Sequence, residues 1–489
     1  MIEVDAHPRR WKAMPFIALA VSLIIMDATV VNVALPVIVR DLSLSASDAE
    51  WINSIYSLVF AALLITLGRV GDLYGRRKLL LVGIITFGIA SVIASLSSTG
   101  SMLICARLLQ GVGGAMVLPA TLSTVNALFK GKERGIAFAI WGSTIGGMAA
   151  VGPVVGGWLT TVSSWHWAFL INIPIVIIVA LGTLIFVPET KDEHVQKGAD
   201  FAGIALSIVG LSLIVFGLIE GIRFGWWVTL ERFSLAGFTW SWSISPVVVA
   251  FVLGALAMGL FVRIEKTRAT LGRPILLDLD LLKIKSFRYG SIAALVVALG
   301  EFGMLFSLPL FLQGGLGLTA LHTGVLILAL AMGTFLISGG TPQLSARMGG
   351  RAVVRLGLAL EAIAILGLSF SFSLSVSSAV IAAWLFLYGA GVGLATAQLT
   401  SVILADVPVS QSGQASGLQS TFRQLGSSLG VALLGALFFT RLGSTRIQGA
   451  DIDGLLAAVK TTTLVAAVVI GFGLLATIAL PAQRPQSQL

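Results

Sequence analysis

Acidic and basic side chains are rare inside the long apolar stretches of this chain, so each one found there is a candidate for chemistry. Asp27 stands in MDATVVNVALP, Met26 to Pro36, with Asn32 as its polar neighbour. A carboxylate near the middle of a bilayer costs roughly 2.5–3.5 kcal/mol on insertion scales, so it serves a function or is neutralised by a partner. Arg107 and Gln110 lie in LICARLLQGVGG, Leu103 to Gly114. A buried arginine needs a counter-charge or a wet cavity, and Asp27 is the nearest candidate in the order of the apolar runs. Glu301 falls near the middle of another run and is a second functional candidate. Glu361 is expected to pair with Arg355 or a neighbouring segment, and Glu220 to rest at an interface beside Arg223.

The elements that must hold these residues follow from composition. The chain has 489 residues, 57% hydrophobic and 11% charged, with mean hydropathy +0.99. Soluble proteins carry about 25% charged residues, so this is an integral membrane protein. Its apolar runs have helix length, which excludes a barrel of alternating ten-residue strands. The net charge is +9, but the basic residues sit in short connections, as cytoplasmic loops require. Nucleic acid is not an expected partner. The single cysteine, Cys105, lies in an apolar run and reads as packing. The leading MIEVDAHPRRWKAM imitates a signal peptide. The run from Met14 to Val39 is too long for one and carries Asp27, so a retained first span is expected.

Counting apolar runs gives about fourteen spans: 14–36, 51–71, 79–98, 102–124, 136–159, 168–187, 201–220, 245–263, 289–311, 323–342, 353–373, 378–399, 415–439 and 461–481. Lys and Arg collect in alternate connections, which places both termini in the cytoplasm. A faint internal repeat aligns GRVGDLYGRR, Gly68 to Arg77, with PQLSARMGGR, Pro342 to Arg351, where Ala346 replaces Asp72. Parallel repeats of this kind mark transporters built from two related halves. The pair of spans at about 201–263 breaks the symmetry as an insertion. Its outer connection carries Trp226, Trp227, Trp240 and Trp242, which read as interfacial anchors.

The hairpin GRVGDLYGRRKLL, Gly68 to Leu80, carries the most specific pattern. Gly68, Gly71 and Gly75 leave room for close helix approach and a sharp turn. Asp72 offers a charge to the N–H groups or cations of a neighbouring helix end. Arg76, Arg77 and Lys78 form a basic cluster suited to the cytoplasmic side. This loop resembles the one joining spans 2 and 3 in the major facilitator superfamily. The string D-x-T-x-x-N-x-A-L-P at Asp27 is similar to the first span of that family's fourteen-span drug:proton antiporters. The Arg107 string resembles their span-4 motif, in which the arginine is implicated in proton handling. Gly152, Pro153, Gly156 and Gly157 in GGMAAVGPVVGG resemble the span-5 antiporter motif, although Met148 stands where a glycine is usual. WHWAFLINIP, Trp165 to Pro174, has His166 in place of the usual Arg. GQASGLQSTFRQLG, Gly413 to Gly426, resembles the span-13 motif and contains Arg423.

The resemblance implies an all-α integral membrane fold: two six-helix halves with two inserted helices. The expected units are 1–190, 191–285 and 286–489. The implied function is proton-coupled export of hydrophobic, cationic drugs or toxic compounds. Asp27 would be the leading proton carrier and Glu301, on a cavity-lining helix, the second, with Arg107, Asn32 and Gln110 assisting. Gly68, Asp72, Gly75, Arg76, Arg77, Gly152, Pro153, Gly156, Gly157 and Arg423 would serve conformational gating. No G-x-x-x-x-G-K-[ST] is present, and His7, His166, His194 and His322 lack metal-ligand spacing. No enzyme activity, cofactor or metal is expected. Expected partners are an amphiphilic small molecule, protons and the lipid bilayer, with the chain a monomer in a bacterial cytoplasmic membrane. A dedicated exporter of one metabolite, lipid or antibiotic, or a non-transporting membrane sensor, are the alternatives.

Overall fold

The computed structural model describes residues 10–44, 46–190, 200–235, 238–408, 411–442 and 451–480. Among these the chain is helical apart from one two-stranded ribbon. The first bundle holds α1 (Arg10–Asp41), α2 (Ala46–Tyr74), α3 (Arg76–Ser95), α4 (Gly100–Leu128) and α5 (Gly131–Val162). Its sixth span is made jointly by α6 (Trp167–Leu170) and α7 (Asn172–Phe186). Next come α8 (Phe201–Phe224) and α9 (Pro246–Thr270). The second bundle contains α10 (Lys285–Gly314), α11 (Ala320–Ser338), the short α12 (Thr341–Met348), α13 (Gly350–Ser371), α14 (Ser378–Ile403), α15 (Ser412–Leu442) and α16 (Ile452–Ala476). Fourteen helical stretches among the described residues are long and apolar enough to cross a membrane.

Polar side chains start several of these helices. Thr99, Asp200, Ser377 and Asp451 each accept a first-turn backbone N–H that has no partner within its helix. The pseudo-repeat is visible in the backbone. Gly75 and Gly349, at matching positions of the two aligned loops, have φ of 113° and 83° with ψ of 132° and 147°. Only glycine adopts that conformation without strain, and each forms the sharp turn from which the next helix starts. The face bearing these two loops is called the basic face below.

Within the first bundle α1 packs on α5 and α7, and α4 on α2 and α3. Within the second, α10 packs on α15 and α16, and α14 on α11 and α13. The bundles meet along two seams, α2 against α15 and α5 against α11 and α14. The inserted pair lies over the first seam: α8 touches both α2 and α15, and α9 touches α8. Its connection forms a small antiparallel ribbon in which Ser234 pairs with Thr239. Trp227 and Trp242 are exposed there, while Trp226 stacks on Phe251.

Several details depart from the sequence expectation. The first helix extends past both ends of 14–36, because its polar termini find partners. Arg10 is ion-paired with Glu133 at 2.7 Å, and Asp41 accepts the Trp165 indole N–H at 2.6 Å. Cys105 is exposed rather than packed. Glu220 is buried beside Arg223, at 3.9 Å. Arg223 also donates to Glu231, whose carboxyl is held below its usual range by that hydrogen bond.

Candidate functional site

α1 carries Asp27 into the first bundle at the level where α4 presents Arg107 and Gln110. Asp27 and Arg107 are both fully buried and form an ion pair of 2.6 Å. An unpaired charge would be prohibitively costly here, and the pair reduces that cost only if its remaining valences are met. They are largely met. Gln110 Nε2 donates to Asp27 Oδ1 at 3.0 Å, and Asn172 Nδ2 donates to the same oxygen at 2.8 Å. Both amides also reach Ser91 Oγ, at 3.0 and 3.1 Å. Arg107 donates further to Gln110 Oε1 at 2.8 Å and to the Ile52 carbonyl at 3.3 Å. Its guanidinium lies over the Tyr56 ring at 4.4 Å, while Arg107 Nη2 has no hydrogen-bond partner among the described residues. Side chains of α4 and α7 therefore converge on the α1 carboxylate, and Ser91 of α3 and Tyr56 of α2 hold those side chains in turn.

The span-5 motif closes over this site. A Cβ on Gly152 would strike Thr29 Oγ1 and lie 3.0 Å from the Met26 carbonyl, on the turns flanking Asp27. A Cβ on Gly156 would lie 2.9 Å from the Val30 carbonyl. Glycine is required at both positions for α5 to approach α1 this closely. Gly157 is buried and Pro153 half-buried on the same helix.

At the basic face Asp72 joins the bundles. It is fully buried, and its oxygens accept from the backbone N–H groups of Gly413 at 2.9 Å and Gln414 at 3.0 Å. Those groups belong to the first turn of α15, whose N–H groups have no partner within the helix and favour a negative charge. Arg76 donates to Asp72 at 2.7 Å and is itself buried, so it is not part of an exposed basic cluster. Gly68 packs directly on the Gly413 backbone, and Asn126 donates to Ser412 at 2.8 Å across the same seam. Arg77 instead reaches the Leu184 carbonyl within its own bundle at 2.6 Å. The backbone N–H groups of Arg77 and Lys78 are received by Glu189, which caps α3 beside Gly75.

Glu301 does not join Asp27. It lies on α10 in the second bundle, where Glu361 on α13 and Tyr388 on α14 are buried as well. Arg423, grouped by its motif with the gating residues, is half-buried on α15. Glu361 does not pair with Arg355, which donates to the Thr477 carbonyl. The Asn32 side chain, His7 and His194 lie outside the described residues.

Sequence reasoning missed Ser91, Tyr56 and Glu189, and it noted Asn172 without assigning it a partner. The available signals were an amide at the start of an apolar helix in WHWAFLINIP, and an acid three residues past the end of that helix in VPET.

Two pseudo-repeated helical bundles, a buried charge pair at bilayer depth and a charge-tipped contact between bundles define a polytopic membrane transporter. The sequence model of the Major Facilitator Superfamily matches residues 17–431. A Streptomyces coelicolor protein described as a probable actinorhodin transporter is 35% identical over 459 residues, 92% of this chain and 75% of its own. The multidrug efflux pump LfrA of Mycolicibacterium smegmatis is 33% identical over 432 residues, 88% of this chain and 81% of its own. In three dimensions the chain resembles the human organic anion transporter MFSD10, with a TM-score of 0.66 over 96% of this chain and 99% of that one. At 15% identity that likeness concerns the fold alone. The chain belongs to the Major Facilitator Superfamily, in its fourteen-span drug-efflux branch, a family of transporters and not of enzymes.

Proposed function

We propose that this protein exports hydrophobic, cationic drugs or toxic compounds from the cytoplasm in exchange for protons. The observation that carries the reading is the Asp27–Arg107 pair, fully buried and ringed by Gln110, Asn172 and Ser91. The ionised pair is neutral. Protonating Asp27 removes the Coulomb attraction that holds Arg107 and leaves one net positive charge in a low-dielectric interior, which repels a cationic substrate nearby. Proton and drug then exclude one another without the drug having to touch Asp27. That suits a carboxylate with no exposed surface better than direct competition for one oxygen does.

The basic face is assigned to the cytoplasm, which puts both termini inside a bacterial cytoplasmic membrane. Asp72 on the first turn of α15 then latches the cytoplasmic side shut, and Gly152 and Gly156 help seal the cavity on the α1 side. The protein acts as a monomer. Substrate entry from the cytoplasm requires the latch to break, and proton entry from outside resets Asp27. The relative named for actinorhodin favours a second reading, a dedicated exporter of one compound on the same machinery.

Dye export from proteoliposomes with an imposed pH gradient tests the reading. Acid-driven export of several unrelated amphiphilic cations is expected. Export of a single compound class would favour the dedicated exporter, and no acid-driven export at all would contradict proton antiport.

A further inference from the structure

The first turn of α15 is held from two sides. Asp72 of α2 receives the Gln414 backbone N–H at 3.0 Å. The Gln414 side chain instead binds the connection from α9 to α10, where the Asp278 N–H donates to Gln414 Oε1 at 2.7 Å. Gln411 Nε2 donates to Asp278 Oδ2 at 2.9 Å. Just before Asp278, the N–H groups of Leu276 and Leu277 donate to the buried Glu265 of α9, at 3.1 and 3.3 Å. Both leucines are buried, and Glu265 receives the N–H groups that their burial would otherwise strand.

The other end of this connection is tied to the first bundle. Arg268 of α9 pairs with Asp200, the cap of α8, at 3.2 Å, and donates to the Pro274 carbonyl at 2.9 Å. α8 packs on both α2 and α15, and its Phe216 stacks on Trp51 of α2 with 6.4 Å between ring centroids. A continuous set of contacts thus runs from α2 through α8, α9 and the connection to α15, around the seam that Asp72 also closes. Its reach is short. Consecutive residues stand about 3.8 Å apart, so Leu277 held on α9 and Asp278 held on α15 leave no slack. Without the Glu265 bonds, the run from Pro274 to Asp278 extends to roughly 13 Å.

We propose that the inserted helices act as a strap across the α2–α15 seam: Glu265 clips the connection short, Asp278 fastens it to the first turn of α15, and the basic face opens only when this tie yields. The strap works in parallel with Asp72, through the side chain of Gln414 where Asp72 uses its backbone. α8 and α9 stand outside the pseudo-repeat, so they add a control that the two repeated bundles lack. The part the strap plays in the transport cycle rests on the latch reading above. The tie itself does not, because opening of the seam is measurable without substrate or gradient.

The test places one insertion at two points of the connection in the lipid-reconstituted full chain. The readout is the alkylation rate of Ser416→Cys in a Cys105→Ala background, since Ser416 is fully buried where Gly417 meets the Leu64 carbonyl. Gly-Ser-Gly-Ser between Leu277 and Asp278 lengthens the tie beyond the Glu265 clip and is expected to raise the rate about three- to tenfold, the worth of one or two hydrogen bonds. The same insertion between Gly272 and Arg273, in an exposed turn ahead of the clip, is expected to change nothing. Gln414→Ala keeps the N–H that Asp72 receives and loses the Asp278 bond, so it should match the first insertion. Combining these two should give no more than the larger alone, because they break one tie in series. Combining either with Asp72→Asn should multiply their effects. Equal rates for the two insertion points overturn the strap, as does multiplication between the first insertion and Gln414→Ala. If Gln414→Ala does not fold, the pair of insertions still decides. A rise in Asp72→Asn alone, with the first insertion silent, overturns the strap and leaves the latch, whereas the reverse removes the latch and leaves the strap.

Discussion

Replacing Asp72 by Asn separates a latch from a topology signal. The Asp72–Arg76 contact is i,i+4 within one chain segment and travels with the first bundle whichever way the seam opens. The bonds from Gly413 and Gln414 cross between bundles, so they exist only while the basic face is closed. Hydrogen bonds to a charged group are worth about 1.5–3 kcal/mol, and neutral ones about 0.5–1.5 kcal/mol. Asn keeps one acceptor oxygen and loses the charge that favours a helix N-terminus. The closed state should therefore lose about 1–3 kcal/mol relative to the open one. A loss of about 1.4 kcal/mol shifts the ratio tenfold. The readout is alkylation of a single cysteine placed at Ser416, which is fully buried next to the contact of Gly417 with the Leu64 carbonyl, after Cys105 has been replaced by Ala. Asp72→Asn is expected to raise the labelling rate about tenfold. An unchanged rate in a well-folded variant would refute the latch and leave the loop as a topology signal.

Three other perturbations reach the remaining parts of the account. Gly156→Leu must push α5 off the Val30 backbone and is expected to fail in folding. Gly152→Ala, which intrudes on Thr29 and Met26, is expected to fold but leak substrate, and tight coupled transport in it would leave the motif a packing role only. Asn172→Ala removes one donor from the buried Asp27 carboxylate and should lower stability by about 1–3 kcal/mol. An unaltered thermal unfolding midpoint would show that this contact is not made. Exchange of one proton for a monovalent cation is electroneutral and driven by pH alone, at about 1.4 kcal/mol per unit. A second proton at Glu301 adds roughly 2.3 kcal/mol per 100 mV. Glu301→Gln should keep pH-driven export and lose its response to membrane potential, whereas a wild type indifferent to potential would remove the second proton.

The helices were legible because an apolar run of bilayer length needs no tertiary context. The Asp27–Arg107 pairing was legible for a related reason: two opposite charges inside a membrane have few other ways to be neutralised. Ser91 and Asn172 were not, since small polar side chains occur throughout such helices and only packing selects those that reach a carboxylate. Glu361 misled because Arg355 is close in sequence. Residues six apart stand on different helix faces, and here one turns toward Gly391 and the other toward Thr477. Arg76 was read with its basic neighbours. Its salt bridge to Asp72, one helical turn back, takes it inside instead.

The central claim is that Asp27 carries the coupling proton, and Asp27→Asn tests it most directly. Everted membrane vesicles with an acidified interior and the potential clamped at zero present the cytoplasmic face to an added monovalent amphiphilic cation. The wild type is expected to accumulate the cation against its gradient. Asp27→Asn, inserted at the same level, cannot exchange charge states and is expected to accumulate none beyond equilibrium. Vigorous uphill accumulation by Asp27→Asn would contradict the account.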